Sequence, residues 1–286
     1  MSIRRSLLRR AFAAGVLASL AGCVAWPYAA DSKQRSDALL QAQMARAHQA
    51  LVLAAGRPPH VVFAGFALNS ESRAFRGDVQ LGEQVMRGID PQAVVFTLAN
   101  PAFGQDAEWP FATRENVQAV LESIGAEAGP DDKVVLLFAS HGAPHILALR
   151  AANRDLGTIT PEDLQQWLGP LRGKPTLIVL SACYSGSFMP ALRDRSRIIL
   201  TAAAADRNSF GCQFHSNNTY FVEELLGGPD PGSLSLRQLM DRAGEGVQRR
   251  EQALKVTPSR PQWFFGAAVQ QWGAQPLSQW LQKAAS

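Results

Sequence analysis

Five short apolar runs, rich in β-branched residues, constrain this chain most: residues 60–66, 93–98, 134–138, 175–180 and 197–203, each closed by small or turn-forming residues. A run without polar alternation is the pattern of a strand buried on both faces. Segments of helix composition separate most of the runs. They cover 32–55, with Leu39, Leu40, Met44, Ala47 and Leu51 at helical spacing before Gly56 and Pro58-Pro59, then 76–87, and a stretch from the N-cap Thr113 to Gly129-Pro130. Another helix opens at Thr160-Pro161, and two more cover 219–226 and 234–254, the last weakened by Gly244 and Gly246. A sixth run, 262–269, and a short C-terminal helix complete the pattern. Strand and helix in alternation predict an α/β fold, a mainly parallel six-stranded sheet covered by helices on both faces. No repeat or low-complexity tract interrupts it, and residues 60–269 fit one domain.

The first 22 residues read as a processing segment. Arg4, Arg5, Arg9 and Arg10 precede a short apolar stretch, 11–20, that is too short to span a bilayer and ends in Leu20-Ala21-Gly22-Cys23. That ending looks like a bacterial lipobox, with Cys23 becoming the lipidated first residue. The expected division is a signal peptide at 1–22, a lipid anchor, tether and N-terminal helix at 23–56, and the main domain at 57–286. The absence of an acid at Val24 points, by resemblance to other bacterial lipoproteins, to the periplasmic face of the outer membrane. Arg4-Arg5 leaves export by the general or the twin-arginine route open.

The leader also accounts for the charge. The chain has 28 Lys and Arg against 24 Asp and Glu, and 1–22 hold four Arg and no acid, which leaves 24 of each. A basic stripe interleaved with aromatics is missing, so nucleic acid is not an expected partner.

Two strand ends carry the chemistry. The run 175–180 leads through Ser181-Ala182 to Cys183 and the turn Tyr184-Ser185-Gly186-Ser187; the run 134–138 leads through Ala139-Ser140 to His141 and Gly142. A free Cys at a strand end is commonly a packed apolar residue. Two parallel neighbouring strands with these endings would instead bring a thiol and an imidazole to the carboxyl edge of the sheet, where α/β proteins keep their reactive groups. A thiol needs such a base, because the thiolate is the nucleophile and an ordinary thiol, near pKa ~8.5, is mostly protonated at neutral pH. Backbone amides of Gly142 and of the turn at Cys183 are then placed for a developing oxyanion.

Ser140-His141-Gly142 and Ser181-Ala182-Cys183-Tyr184-Ser185-Gly186-Ser187 resemble the His-Gly and Ala-Cys-x-Ser-Gly-Ser motifs of the legumain (asparaginyl endopeptidase) family of cysteine peptidases. Thr201 to Cys212, TAAAADRNSFGC, is similar to a third stretch of that family. The resemblance covers roughly residues 58–270. It implies a caspase-like three-layer sandwich and endopeptidase action on peptides or proteins through a His141–Cys183 dyad and an acyl-enzyme, without metal or organic cofactor. It also implies a pocket for the residue before the scissile bond, formed by Arg76, Ser181, Asn208 and Ser209. Departures bear on that pocket. Ala74 stands where the family has an Asn that orients the His, so no third member of the dyad is assigned. Ser140 replaces an Asp, and Ser181 replaces an acid two positions before the Cys. An Arg pocket stripped of its acid could accept an acidic residue instead of the family's Asn, so cleavage after Asn or after Asp stays open. Glu223 is the loose candidate to replace the charge. Transpeptidation or transamidation is the related alternative; a non-catalytic envelope scaffold lipoprotein is the alternative of another class.

Other constellations are weaker. His141 and His145 are four apart, but Gly142 and Pro144 forbid the helix that a zinc pair requires. His48, His60 and His215 are expected to be ordinary histidines, and Cys212 a packed residue, since pairing it with Cys183 would consume the nucleophile. Ser185-Gly186 lacks the glycine of a serine-hydrolase elbow. Oligomeric state and natural substrate are not legible.

Overall fold

The structure is a computed structural model, and it describes residues 30–53, 60–213 and 215–282. The leader, Cys23 and the tether lie outside the described residues. The chain runs α1 (Ala30–His48), β1 (Val61–Ala67), α2 (Arg73–Ile89), β2 (Val94–Ala99), α3 (Arg114–Glu127) and β3 (Lys133–Ala139). It continues through β4 (Gly142–Ala143), β5 (Ile146–Ala151), β6 (Arg154–Ile159), α4 (Pro161–Trp167), β7 (Thr176–Ser181) and α5 (Met189–Leu192). It closes with β8 (Arg197–Thr201), α6 (Tyr220–Leu226), α7 (Leu236–Leu254), β9 (Gln262–Phe265) and α8 (Leu277–Gln282). None of the described helices is long and apolar enough to cross a membrane.

Six strands form one sheet in the order β2-β1-β3-β7-β8-β9, parallel except for β9, which runs antiparallel to β8. The three-layer α/β sandwich read from the sequence is therefore present. Every residue of β1, β3, β7 and β8 is buried, and alternate residues serve opposite faces. Val62, Ala64 and Phe66 pack with α1, α3, α4 and α5, whereas Val61, Phe63 and Ala67 pack with α2, α6, α7 and α8. This two-sided burial is why these strands read as unbroken apolar runs.

Several boundaries move. The second helix starts at Arg73, capped by Ser72, whose hydroxyl accepts the Ala74 amide at 3.2 Å. The first helix gives way to a π turn at Gln49–Leu53. The last strand is four residues rather than 262–269, because the chain turns at Gly266, whose carbonyl accepts the Val269 amide at 3.0 Å, ahead of a 3-10 turn at Gln270–Ala274.

Helix α1 guards the sheet's open edge. Gln43 donates to the Thr97 carbonyl and accepts the Thr97 amide, both at 3.2 Å, so one side chain satisfies the backbone of β2 as a further strand would. Ser32 and Ser36 on the same helix accept the amides of Ala107 (3.1 Å) and Phe111 (2.8 Å), which pins the irregular 100–112 segment. Leu40, Ala47 and Leu51 enter the same core as β1.

A second sheet, β4-β5-β6, was not legible in the sequence. It is a hairpin that leaves the tip of β3 directly after His141. Its β5–β6 turn uses Ala152 and Asn153 at φ 48° and 64°, the doubly left-handed conformation that matches strand twist.

Candidate active site

Strands β1, β3 and β7 end level: Ala67 lies opposite Ala139, and Ala139 opposite Ser181. The pairing continues past the strands, since the Ser140 amide donates to the Ser181 carbonyl at 3.1 Å. Two further residues bring His141 and Cys183 to adjacent tips. Their backbones touch there: a Cβ at Gly142 would sit 2.2 Å from the Cys183 carbonyl oxygen, so only glycine fits.

The residues around Cys183 are explained by what holds it. Tyr184 turns the chain in the left-handed region (φ 56°), and its amide donates to Arg207 O at 2.7 Å. The Ser185 hydroxyl accepts the Ala203 amide at 3.1 Å. Gly186 lies so close to the exit of β8 that a Cβ would meet Ala205 N at 2.7 Å. Ser187 accepts the His145 amide (2.9 Å) and donates to Tyr184 O (2.7 Å), which ties the turn to the hairpin. The Ser-Gly-Ser sequence is thus a three-point clamp. Cys183 itself is half-buried, and its sulfur accepts the Ser209 amide at 3.2 Å.

His141 is fixed by its own surroundings. Its carbonyl accepts the Ala148 amide at 3.0 Å, the Ser140 hydroxyl donates to Ala148 O at 2.5 Å, and the ring meets Phe75 edge-on at 4.9 Å. Burial pulls the imidazole below its ordinary pKa; the nearby Glu71 carboxylate opposes that shift and Arg150 reinforces it. A neutral base is therefore available near neutral pH.

The expected pocket residues separate. Arg76 lines a cavity of 290 Å³ with Glu71, Arg73, Asn100, Glu108 and Trp109 among its walls. Its guanidinium pairs with Glu108 and lies 4.8 Å over the Trp109 ring. The expectation of an Arg without an acid is thus corrected: Glu108, on the 100–112 segment, pairs with it. Pairing with Arg76 holds the Glu108 carboxyl below its usual range. Glu223 does not serve there, because Arg250 engages it at 2.6 Å. Ser209 is at the thiol, and Asn208 is exposed beside it. Ser181 is corrected too. It is buried and borders no described cavity; its hydroxyl donates to Asp78 at 3.0 Å and contacts Thr219 Oγ1 at 2.9 Å.

Asp78 is a residue that sequence reasoning missed. Fully buried in α2, it accepts the Thr219 amide (2.9 Å), the Thr219 hydroxyl (2.8 Å) and the Ser181 hydroxyl. It joins α2, the end of β7 and the N-cap of α6. Burial pushes its carboxyl up to about 7, against the pull of those donors. Cys212 is free and packs against the core, as expected, and burial pushes its thiol up. Of the other histidines, His60 lies 3.9 Å from Asp90 and His48 3.6 Å from Glu127, while His215 is a wall of the Arg76 cavity.

The Peptidase C13 family model, that of the legumain family, matches residues 114–227, a stretch holding His141 and Cys183. The resemblance read from the two motifs is borne out by that match, which supports a cysteine peptidase. No curated protein matches the sequence. Among solved structures, a crystal structure of caspase-1 from Spodoptera frugiperda is similar at a TM-score of 0.49 and 12% identity, covering 73% of this chain and 86% of that one.

Proposed function

We propose that this chain is a bacterial envelope cysteine endopeptidase, anchored through lipid on Cys23, in which Cys183 is the nucleophile and His141 the acid/base. The observation that carries the proposal is the level pairing of β3 and β7, which sets His141 beside Cys183 within the segment similar to Peptidase C13. His141 takes the thiol proton, and the thiolate attacks the peptide carbonyl. The resulting oxyanion faces the backbone amides of Gly142 and Cys183. His141 returns its proton to the leaving amine, leaving a thioester. Water, deprotonated by His141, then hydrolyses that acyl-enzyme and restores the thiol.

The substrate residue before the scissile bond is assigned to the cavity lined by Arg76. Glu71 supports this placement, as it is both a wall of that cavity and within 4.0 Å of His141. Because Arg76 and Glu108 already neutralise each other, the pocket offers a donor and an acceptor rather than a spare positive charge. Such a pair suits a carboxamide, so Asn is preferred over Asp. Fluorogenic peptides varied at that one position test the proposal. Wild type cleaves after Asn, and Glu108→Gln raises the Asp-to-Asn ratio of kcat/KM by roughly tenfold. A ratio unmoved by Glu108→Gln removes the cavity as the specificity pocket, and no cleavage of any peptide by folded, reduced protein removes the peptidase.

Gly142→Ala carries a further expectation. Its Cβ has no room against the Cys183 carbonyl, so the strand tips move apart. We expect a loss of about 1–3 kcal/mol in denaturant unfolding and a fall of roughly 10²-fold in kcat/KM. A variant with wild-type kcat/KM would show that the spacing of the tips does not matter.

Acylated Cys23 would hold the domain at a lipid bilayer, and the residue after it, Val24, favours the periplasmic face of the outer membrane.

A further inference from the structure

The hairpin that interrupts the chain after His141 folds back and supplies a charge. Its second strand, β5, carries Arg150, whose amide donates to Leu68 O at 3.0 Å and whose carbonyl accepts the Ser70 amide at 3.1 Å. These bonds seat β5 beside the segment that links β1 to α2. In that segment the Glu71 amide donates to Asn69 Oδ1 at 2.9 Å, a local turn that fixes the Glu71 backbone. Arg150 Nη1 then lies 3.2 Å from Glu71 Oε1, and the other carboxylate oxygen, Oε2, lies 4.0 Å from His141 Nε2. The circuit is closed: His141 leads into β4, β4 into β5, β5 to Arg150, Arg150 to Glu71, and Glu71 back to the imidazole.

We propose that Glu71 is the positioning residue of the His141 imidazole, itself held in place by Arg150 of the hairpin. The inference rests on reading His141 as the acid/base of the peptidase. Glu71 faces Nε2 and so leaves Nδ1 to serve the thiol. It comes from the loop between β1 and α2, and Ala74, buried in the first turn of α2, offers the ring no polar group. Three ionisable groups bear on the ring: Glu71 favours its protonated form, Arg150 disfavours it, and Cys183 is at the neighbouring strand tip. Phe75 is apolar and meets the ring edge-on. Glu71 thus opposes Arg150, and removing either charge must move the imidazole in opposite directions.

The test is the pH titration of the His141 ring by NMR in the full chain carrying Cys183→Ala, its signal identified by its loss in His141→Ala. Glu71→Gln keeps the shape of the side chain and removes its charge; the titration is expected to fall by about 0.5–1 pH unit. Arg150→Met is expected to raise it, and the double variant to titrate between the two. In the Cys183 form, the limb of the pH profile of kcat/KM that follows His141 moves the same way, and kcat at pH 7 falls roughly tenfold in Glu71→Gln. A titration unchanged in Glu71→Gln, or shifted in the same direction by both single variants, overturns the proposal. Failure of the peptidase reading registers separately, as absent cleavage or as cleavage indifferent to Cys183→Ala, whereas the ring titration still decides the role of Glu71.

Discussion

Cys183→Ala is expected to lower kcat/KM for the best peptide by at least about 10³-fold while leaving the protein folded. The effect is large because the acyl bond forms on this sulfur and the neighbouring side chains are otherwise engaged. Ser181 is buried behind Asp78, Ser185 and Ser187 are committed to backbone partners, and Cys212 packs against the core. The structural cost is small, since the sulfur is half-buried and its bonds are the weak ones to Ser209. His141→Ala is expected to fall to a similar floor, and the double variant to go little further, because thiol and base act as a unit. Kinetics on the three variants check this. Residual cleavage of Cys183→Ala near the wild-type rate would remove the nucleophile from the account.

The second large effect concerns stability. Asp78→Ala strips the acceptor from the Thr219 amide and from two buried hydroxyls, and is expected to cost roughly 3–5 kcal/mol. Asp78→Asn is gentler. The amide oxygen still accepts from Thr219 N, and its NH₂ donates to hydroxyls that can rotate. Its consequence is a changed pH dependence. Burial pushes the Asp78 carboxyl up to about 7 in the folded protein, against 3.8 for an ordinary Asp. Between those values the native state keeps a proton that the unfolded chain has lost. This contribution to stability is full below 3.8, declines as pH rises to about 7, and is flat above. Relative to wild type, Asp78→Asn should therefore gain about 3 kcal/mol between pH 5 and pH 8 in urea unfolding. A difference independent of pH would mean that the buried carboxyl does not titrate in this range. The segment from Ser209 to Thr219 is tied at one end to the Cys183 sulfur and at the other to Asp78. Loosening it in Asp78→Ala is expected to lower activity as well.

The sheet and the two strand-end residues were legible because their signals are local. A strand buried on both faces is an unbroken apolar run, and Ser-His-Gly and Cys-Tyr-Ser-Gly-Ser lie directly after such runs. The hairpin 142–159 was hidden. Ile146–Ala151 is short and, apart from Arg150, apolar throughout although only alternate residues are buried, and its turn is made by Ala152-Asn153 instead of a glycine pair. The pocket was legible only in part. Arg76 could be singled out, but its partner Glu108 is 32 residues away, and nothing in the spacing joins them. Asp78 did leave a trace. It falls on the face that buries Phe75, Val79, Gly82 and Met86, where a carboxylate needs internal donors, and Ser181 and Thr219 supply them. Glu71 left none, because it meets His141 only through the pairing of β1 with β3 and meets Arg150 only through the hairpin.

Alkylation by iodoacetamide, followed at each cysteine of the full chain by mass spectrometry at pH 6.5, is the most direct test that His141 activates Cys183. The account predicts that Cys183 reacts at least about ten times faster than Cys212, whose thiol burial pushes up, and that His141→Ala slows Cys183 while leaving the Cys212 rate unchanged. Equal rates at the two cysteines, or a Cys183 rate indifferent to His141, would contradict it.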